Sequence, residues 1–281
     1  MQFEAFARGH GLLIEHVRPV AEIQRCPTVE HPRARNGAWF FDGQRGWVCA
    51  WDDGGEIRWF DDPARRWTAE DKRRLYSQRL ALRERADRKN ELAAQRAGSI
   101  LRACRTDRHG YLRLKGLPEA RCLVTPDDDL LVPMRSLSGS LVGAQIVHWD
   151  AEDRRWIKKM LPGMKAKAAV LSIGSPTARE TVLCEGYATA LSIHAALTLT
   201  RIDARALVCF SDSNLAHVAP MVKGRVMVFA DNDESGAGER AAQKTGLPYV
   251  MSDVVGEDAN DMHQRAGVYQ LGSRLMELRR M

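Results

Sequence analysis

The chain has six cysteines in 281 residues and no CxxC pair among them. Cys26, Cys49, Cys104, Cys122, Cys184 and Cys209 are scattered, which speaks against a disulfide framework and against a four-ligand zinc site, and suits a reducing cytosol. Nowhere do about eighteen apolar residues run together, so no membrane-spanning segment is expected. The N-terminus, Met1-Gln2-Phe3-Glu4-Ala5-Phe6, lacks a basic stretch followed by an apolar one. The protein is therefore expected to be soluble, unexported and cytoplasmic, with no membrane partner. A GxxxxGK[ST] loop is also missing, which excludes a P-loop motor on this chain.

What is present supports a folded core. Apolar residues make up 44% of the chain, enough for one large domain or two to three small ones. A formal charge of +6 fits a polyanionic partner. Residues 1–67 hold five of the seven tryptophans, Trp39, Trp47, Trp51, Trp59 and Trp67. Their short apolar-aromatic segments alternate with Gly- and Asp-rich turns, the pattern of β-hairpins. The tryptophans could stack nucleic-acid bases; the preferred reading is that they fill the core of a small module. Cys26, His31 and Cys49 have a zinc-ribbon flavour, but the paired ligands are missing, so no zinc is expected.

Residues 68–106 read as a basic helical linker. Thr68 can cap it, Glu70 and Asp71 occupy its first turn, and no Pro or Gly interrupts it before Gly98. Between Glu70 and Arg96 nine Lys/Arg residues face five acids, and Leu75, Leu82, Ala86, Ala93 and Ala97 give only a thin apolar stripe. A solvated strut follows. Residues 107–177 are rich in hairpins: Leu130-Leu131-Val132-Pro133-Met134 and Leu141–Val147 flank the turn Ser138-Gly139-Ser140. Beyond them runs the basic segment Arg154–Lys167, with Lys158, Lys159, Lys165 and Lys167 around a Pro-Gly turn. Such lysines suit phosphate.

From residue 178 strands alternate with helices over short connections, which implies an α/β fold with a parallel sheet flanked by helices. Expected strands are Thr181–Cys184, Ala206–Phe210, Arg225–Ala230 and Pro248–Met251; expected helices are Ala188–Leu197, Leu215–Met221 and Ala237–Thr245. Ligands in such folds gather at the carboxyl ends of the strands. There stand Glu185, Asp231, Asp233 and, near the last strand, Asp258. Glu185 and Asp231 meet only if their strands are neighbours. Asp231 and Asp233, two apart on a turn, can face one cation with Glu185 adding a third oxygen, as Mg²⁺ is held. Equally, Asp231-Asn232-Asp233 could make an Asx turn and cap the next helix.

The joint order of these motifs is more specific than any one of them. Val182-Leu183-Cys184-Glu185-Gly186-Tyr187-Ala188-Thr189-Ala190, Val228-Phe229-Ala230-Asp231-Asn232-Asp233 and Asp258-Ala259-Asn260-Asp261-Met262-His263-Gln264 together resemble a Toprim domain, of the type found in phage and plasmid DNA primases. Upstream, His109-Gly110-Tyr111-Leu112 with Lys115-Gly116-Leu117, Leu131-Val132-Pro133-Met134-Arg135 and Lys158-Lys159-Met160-Leu161-Pro162-Gly163 are similar to that family's preceding motifs. The resemblance implies primer synthesis from ribonucleoside triphosphates on single-stranded DNA with Mg²⁺ or Mn²⁺. It makes Glu185, Asp231 and Asp233 catalytic, adds Asp258 as a metal ligand, and gives Lys115, Arg135, Lys158, Lys159, Lys165 and Lys167 to nucleotide or nucleic acid. It further implies a phage- or plasmid-encoded protein in a bacterial cytoplasm, working with a replicative helicase on a separate chain. The degenerate cysteine pattern departs from the family's N-terminal zinc module. Alternatives are a Toprim nuclease and a non-catalytic binding protein.

Overall fold

The computed structural model describes residues 2–20, 22–61 and 69–281. It divides into two units, Met1–Asp87 and Arg88–Met281. In the first, helix α1 (Phe3–Gly9) precedes strands β1 (Gln24–Cys26), β2 (Gly37–Phe41), β3 (Arg45–Ala50) and β4 (Arg58–Asp61). The strands form an antiparallel sheet in chain order. Its core differs from the expected tryptophan packing. Strand alternation puts Trp39, Phe41, Val48 and Phe60 on one face, where Phe3 of α1 stacks on Phe41 at 4.5 Å. Trp47 and Trp59 are cross-strand partners on the opposite face, and Trp59 is 71% exposed. Phenylalanines and Trp39 fill the core, while Trp67 and the expected cap Thr68 lie outside the described residues.

Helix α2 (Ala69–Ala103) matches the expected long basic helix. It is not solvated throughout. In the second unit, Ala97 is buried against Leu131, Ala144 and Leu161, with Ile100 and Leu101 packed beside it. Small residues at the contact let the helix sit close on a sheet.

That sheet comprises β5 (Arg105–Asp107), then, after helix α3 (Gly110–Leu114), β6 (Cys122–Val124), β7 (Leu130–Arg135), β8 (Leu141–Asp150) and β9 (Arg155–Met160). It is antiparallel and in chain order, with β9 at an edge. The second sheet follows with β10 (Leu171–Ile173), β11 (Glu180–Cys184), α4 (Tyr187–Leu199), β12 (Ala204–Val208), α5 (Asp212–Val218), β13 (Arg225–Phe229), α6 (Ala237–Thr245), β14 (Tyr249–Val250), α7 (Ala259–Ala266) and α8 (Val268–Arg280). Strand order is β10-β12-β11-β13-β14, parallel except for β10, which pairs antiparallel with β12. The α/β expectation holds, with β10, α7 and α8 added to the expected alternation.

Both faces of this sheet are covered, as its near-continuous apolar strands require. Val182, Ala206, Val208, Met227 and Phe229 meet Ile193, Leu197, Leu271 and Leu275 on one side. Leu183, Leu207 and Val228 meet Leu215, Val218 and Ala242 on the other. The first cluster continues into Tyr111, Leu112, Leu130, Val132 and Val147, so both sheets of this unit share one core. Each fully buried side chain of this size contributes about 1.5–3 kcal/mol. Arg279 of α8 grips Glu180 through two hydrogen bonds of 2.6 and 2.9 Å, fastening the last helix to β11.

Candidate metal centre

Three neighbouring parallel strands deliver acids to the same sheet edge. In the order β12-β11-β13, the turn after β12 leads to Asp212, β11 ends one residue before Glu185, and β13 is followed closely by Asp231. Register places Leu183 opposite Val228 and Leu207, so the strand ends are level. The expected neighbourhood of Glu185 and Asp231 is therefore present. Asp258 joins from the start of α7, near enough to repel Asp231.

The electrostatics are those of crowded, desolvated carboxylates. Burial, then the charges of Asp258, Glu185 and Asp212, push Asp231 up to about 8. Its buried Oδ1 has no hydrogen-bond partner. Burial, then the charge and hydrogen bond of Asp212, raise Glu185 to about 7; Lys158 opposes both shifts. A buried carboxylate oxygen with nothing to bond, ringed by acids, is a fit for a cation: Mg²⁺ takes one or two carboxylates and keeps several waters. No three of these acids present ligand atoms within 4.8 Å of one another, in contrast to Glu30, His31 and Asp52 of the first unit, which do. Asp52 is nonetheless satisfied by protein donors: Thr28 Oγ1, Asn36 Nδ2 and His31 Nδ1 all engage its carboxylate.

The remaining expected site residues divide. Asp233 sits beside Glu185 but its carboxylate serves the next helix, accepting from the amides of Ala237 (3.2 Å) and Gly238 (2.8 Å) and from Ser235 Oγ. These donors, Ser235 foremost, hold it down at about 2. Of the two readings of Asp231-Asn232-Asp233, Asp233 takes the capping one and Asp231 faces the acids. Gly238 makes this possible, since a Cβ there would lie 2.3 Å from the Asp231 carbonyl oxygen. Asp258 caps α7 through the amides of Asn260 (2.6 Å) and Asp261 (2.9 Å), and accepts from Thr189 Oγ1 at 2.8 Å. Lys115 lies at this corner and contacts Asp261 at 3.3 Å. Burial alone would lower its pKa, but Asp258 and Asp261 outweigh that and raise it.

Lys158 and Lys159 belong to strand β9 rather than to a basic turn. Alternation sends them to opposite faces: Lys158 pairs with Val147, on the face of the shared core, and Lys159 with Ile146. Lys158 alone of the two counters the acids. Lys167 borders a cavity of about 460 Å³ with Met160, Phe210, Ser211 and His217. Lys165 is exposed on the same loop, and Arg135 is tied to Gly139 O of its own hairpin at 2.9 Å. Asp212 is the acid that sequence reasoning missed. After Ser211, which caps α5 through the Asn214 amide, it reads as an ordinary first-turn acid.

Residues 180–268 match the Toprim domain family. Strands β11–β14 and helices α4–α7 carry that match, and Toprim domains occur in primases, nucleases and topoisomerases and bind Mg²⁺ through acidic residues. The Toprim match thus spans Glu185, Asp212, Asp231 and Asp258 together. Among the described residues no helix is long and apolar enough to cross a membrane.

Proposed function

We propose that this chain is a Toprim primase, joining ribonucleotides on a single-stranded DNA template. The observation that carries the reading is Asp231: a buried, unpartnered carboxylate oxygen among Glu185, Asp212 and Asp258, with Lys158 beside them. When bound there, Mg²⁺ or Mn²⁺ would stabilise attacking and leaving oxygens of an in-line phosphoryl displacement. Asp231 and Glu185 would hold it, with Asp258 behind them. Glu185, raised towards neutrality and hydrogen-bonded to Asp212, suits acceptance of a proton from an attacking hydroxyl near neutral pH. Lys158 and Lys167 would steady phosphates. Primase is favoured over nuclease by the hairpin-rich sheet: it carries the upstream motifs that resemble primases, and it supplies Lys158 to the acids.

The test is direct. Single-stranded DNA, ribonucleoside triphosphates and Mg²⁺ should yield short RNA, and Glu185→Gln or Asp231→Asn should abolish it in a folded protein. Absence of product across varied templates and divalent ions would sink the primase reading, and loss of labelled DNA in the same tube would establish the nuclease instead.

A further inference from the structure

Edge strand β9 carries a row of side chains of which the metal centre uses only Lys158. Trp156, Lys158 and Met160 alternate onto one face, at intervals of about 6.8 Å along an antiparallel strand. Trp149 of β8 is the direct cross-strand partner of Trp156, and their rings meet edge to face at 5.2 Å. Trp156 is bedded on α3 and its cap: the His109 ring lies at 4.9 Å, Tyr111 at 6.0 Å, and a Cβ on Gly110 would come within 3.2 Å of the indole. Trp149, by contrast, is 48% exposed. Lys158 extends over the Tyr111 ring at 5.7 Å and reaches the field of Glu185 and Asp231. Beyond Met160 the row opens into the cavity bordered by Phe210 and Lys167.

We propose that this row is a track for single-stranded DNA, its bases stacking on Trp149 and Trp156 and its backbone led past Lys158 to the acids. The inference rests on the metal-centre reading for where the strand is going, not for whether it binds. A single strand fits because its bases are free to stack on aromatic faces, a sequence-tolerant contact that a duplex cannot offer. Charge agrees: Lys158, Lys165 and Lys167 are exposed cations. At the opposite end the turn after Trp149 bears Asp150, Glu152 and Asp153, with Asp150 Oδ1 holding the amides of the other two. Arg154 and Arg155 follow them, Arg155 paired with Asp153 at 2.7 Å, and Lys158 leads the track from the tryptophans towards the acids.

Binding is measured with a fluorescent single-stranded oligonucleotide in EDTA, where no chemistry occurs, and with a strand of equal length whose central positions are abasic. Trp149→Ala and Trp156→Ala should each weaken binding of the intact strand by about 5- to 100-fold. Trp156→Phe should retain most of the affinity, and the abasic strand should bind wild type and variants alike. Unchanged affinity in Trp149→Ala, or an equal loss on the abasic strand, overturns the track. Since Trp149 is exposed, its variant remains informative if Trp156→Ala fails to fold. Weakened binding by Trp149→Ala in a protein that makes no product upholds the track and removes the primase reading. Product from a protein whose Trp149→Ala variant binds normally does the reverse.

Discussion

Two carboxylates, Asp52 in the first unit and Asp231 in the second, stand in clusters of potential ligands and differ in what the protein gives them. Thr28, Asn36 and His31 all approach Asp52, with Thr28 contributing most to the lowering of its pKa. Asp231 is given burial and other acids, and its pKa is raised to about 8. Geometric convergence alone would select Glu30, His31 and Asp52, because they are the closer group. What separates them is satisfaction: a carboxylate whose oxygens are filled by donors is already stabilised, while one left bare in low dielectric needs a cation or a proton.

The largest expected effect follows from that distinction. Asp231→Asn should reduce metal-dependent product formation by at least about 100-fold, beyond the loss seen on removing groups that merely support a ligand, and should raise the melting temperature of the metal-free protein. Asp52→Asn should do the opposite to stability, lowering the melting temperature with no gain from EDTA. If both substitutions moved it the same way, the contrast would collapse.

Next in size is Gly238→Ala. Its Cβ would collide with the Asp231 carbonyl, costing about 1–3 kcal/mol as an overpacked contact does, and it should blunt the thermal response to Mg²⁺, read by calorimetry in parallel with wild type.

The pH dependence should also divide the units. Asp231 and Glu185 hold protons in the folded state up to about 8 and 7, well above their unfolded values near 4. The folded state then binds more protons, so in EDTA their contribution makes stability fall as pH rises from about 4 to about 8. Millimolar Mg²⁺ should restore it, more at pH 8 than at pH 5. Asp52 has the contrary sign: its lowered pKa adds stability above the ordinary carboxylate range, lost as pH falls through its folded value. A melting curve for each condition decides this, and an Mg²⁺ effect independent of pH would refute the assignment of the raised groups.

The smallest effect is a control. Arg279→Ala removes the grip on Glu180 and should cost roughly 1 kcal/mol in urea unfolding, given the partial exposure of the guanidinium. It should leave the response to Mg²⁺ intact.

Much of the Toprim region was legible in the sequence. Apolar runs that end in an acid mark Glu185 and Asp231 as strand-end residues, and helix α6 occupies the expected Ala237–Thr245. Asp212 was not legible, because a first-turn acid after a serine cap looks the same whether or not a second carboxylate lies across the sheet. Lys158 and Lys159 were indistinguishable as a charge run until strand pairing sent them to different faces. Size favours the core for the N-terminal tryptophans, but the pleat places Trp47 and Trp59 on the opposite face.

By itself, then, the sequence determined the alternation of strands and helices, the placing of acids just past strand ends, and the excess of positive charge, since each depends on neighbours along the chain. Tertiary structure decided which acid is bare, which caps a helix and which lysine opposes them. Desolvation and charge repulsion act through space, and strand order β12-β11-β13 sets those distances.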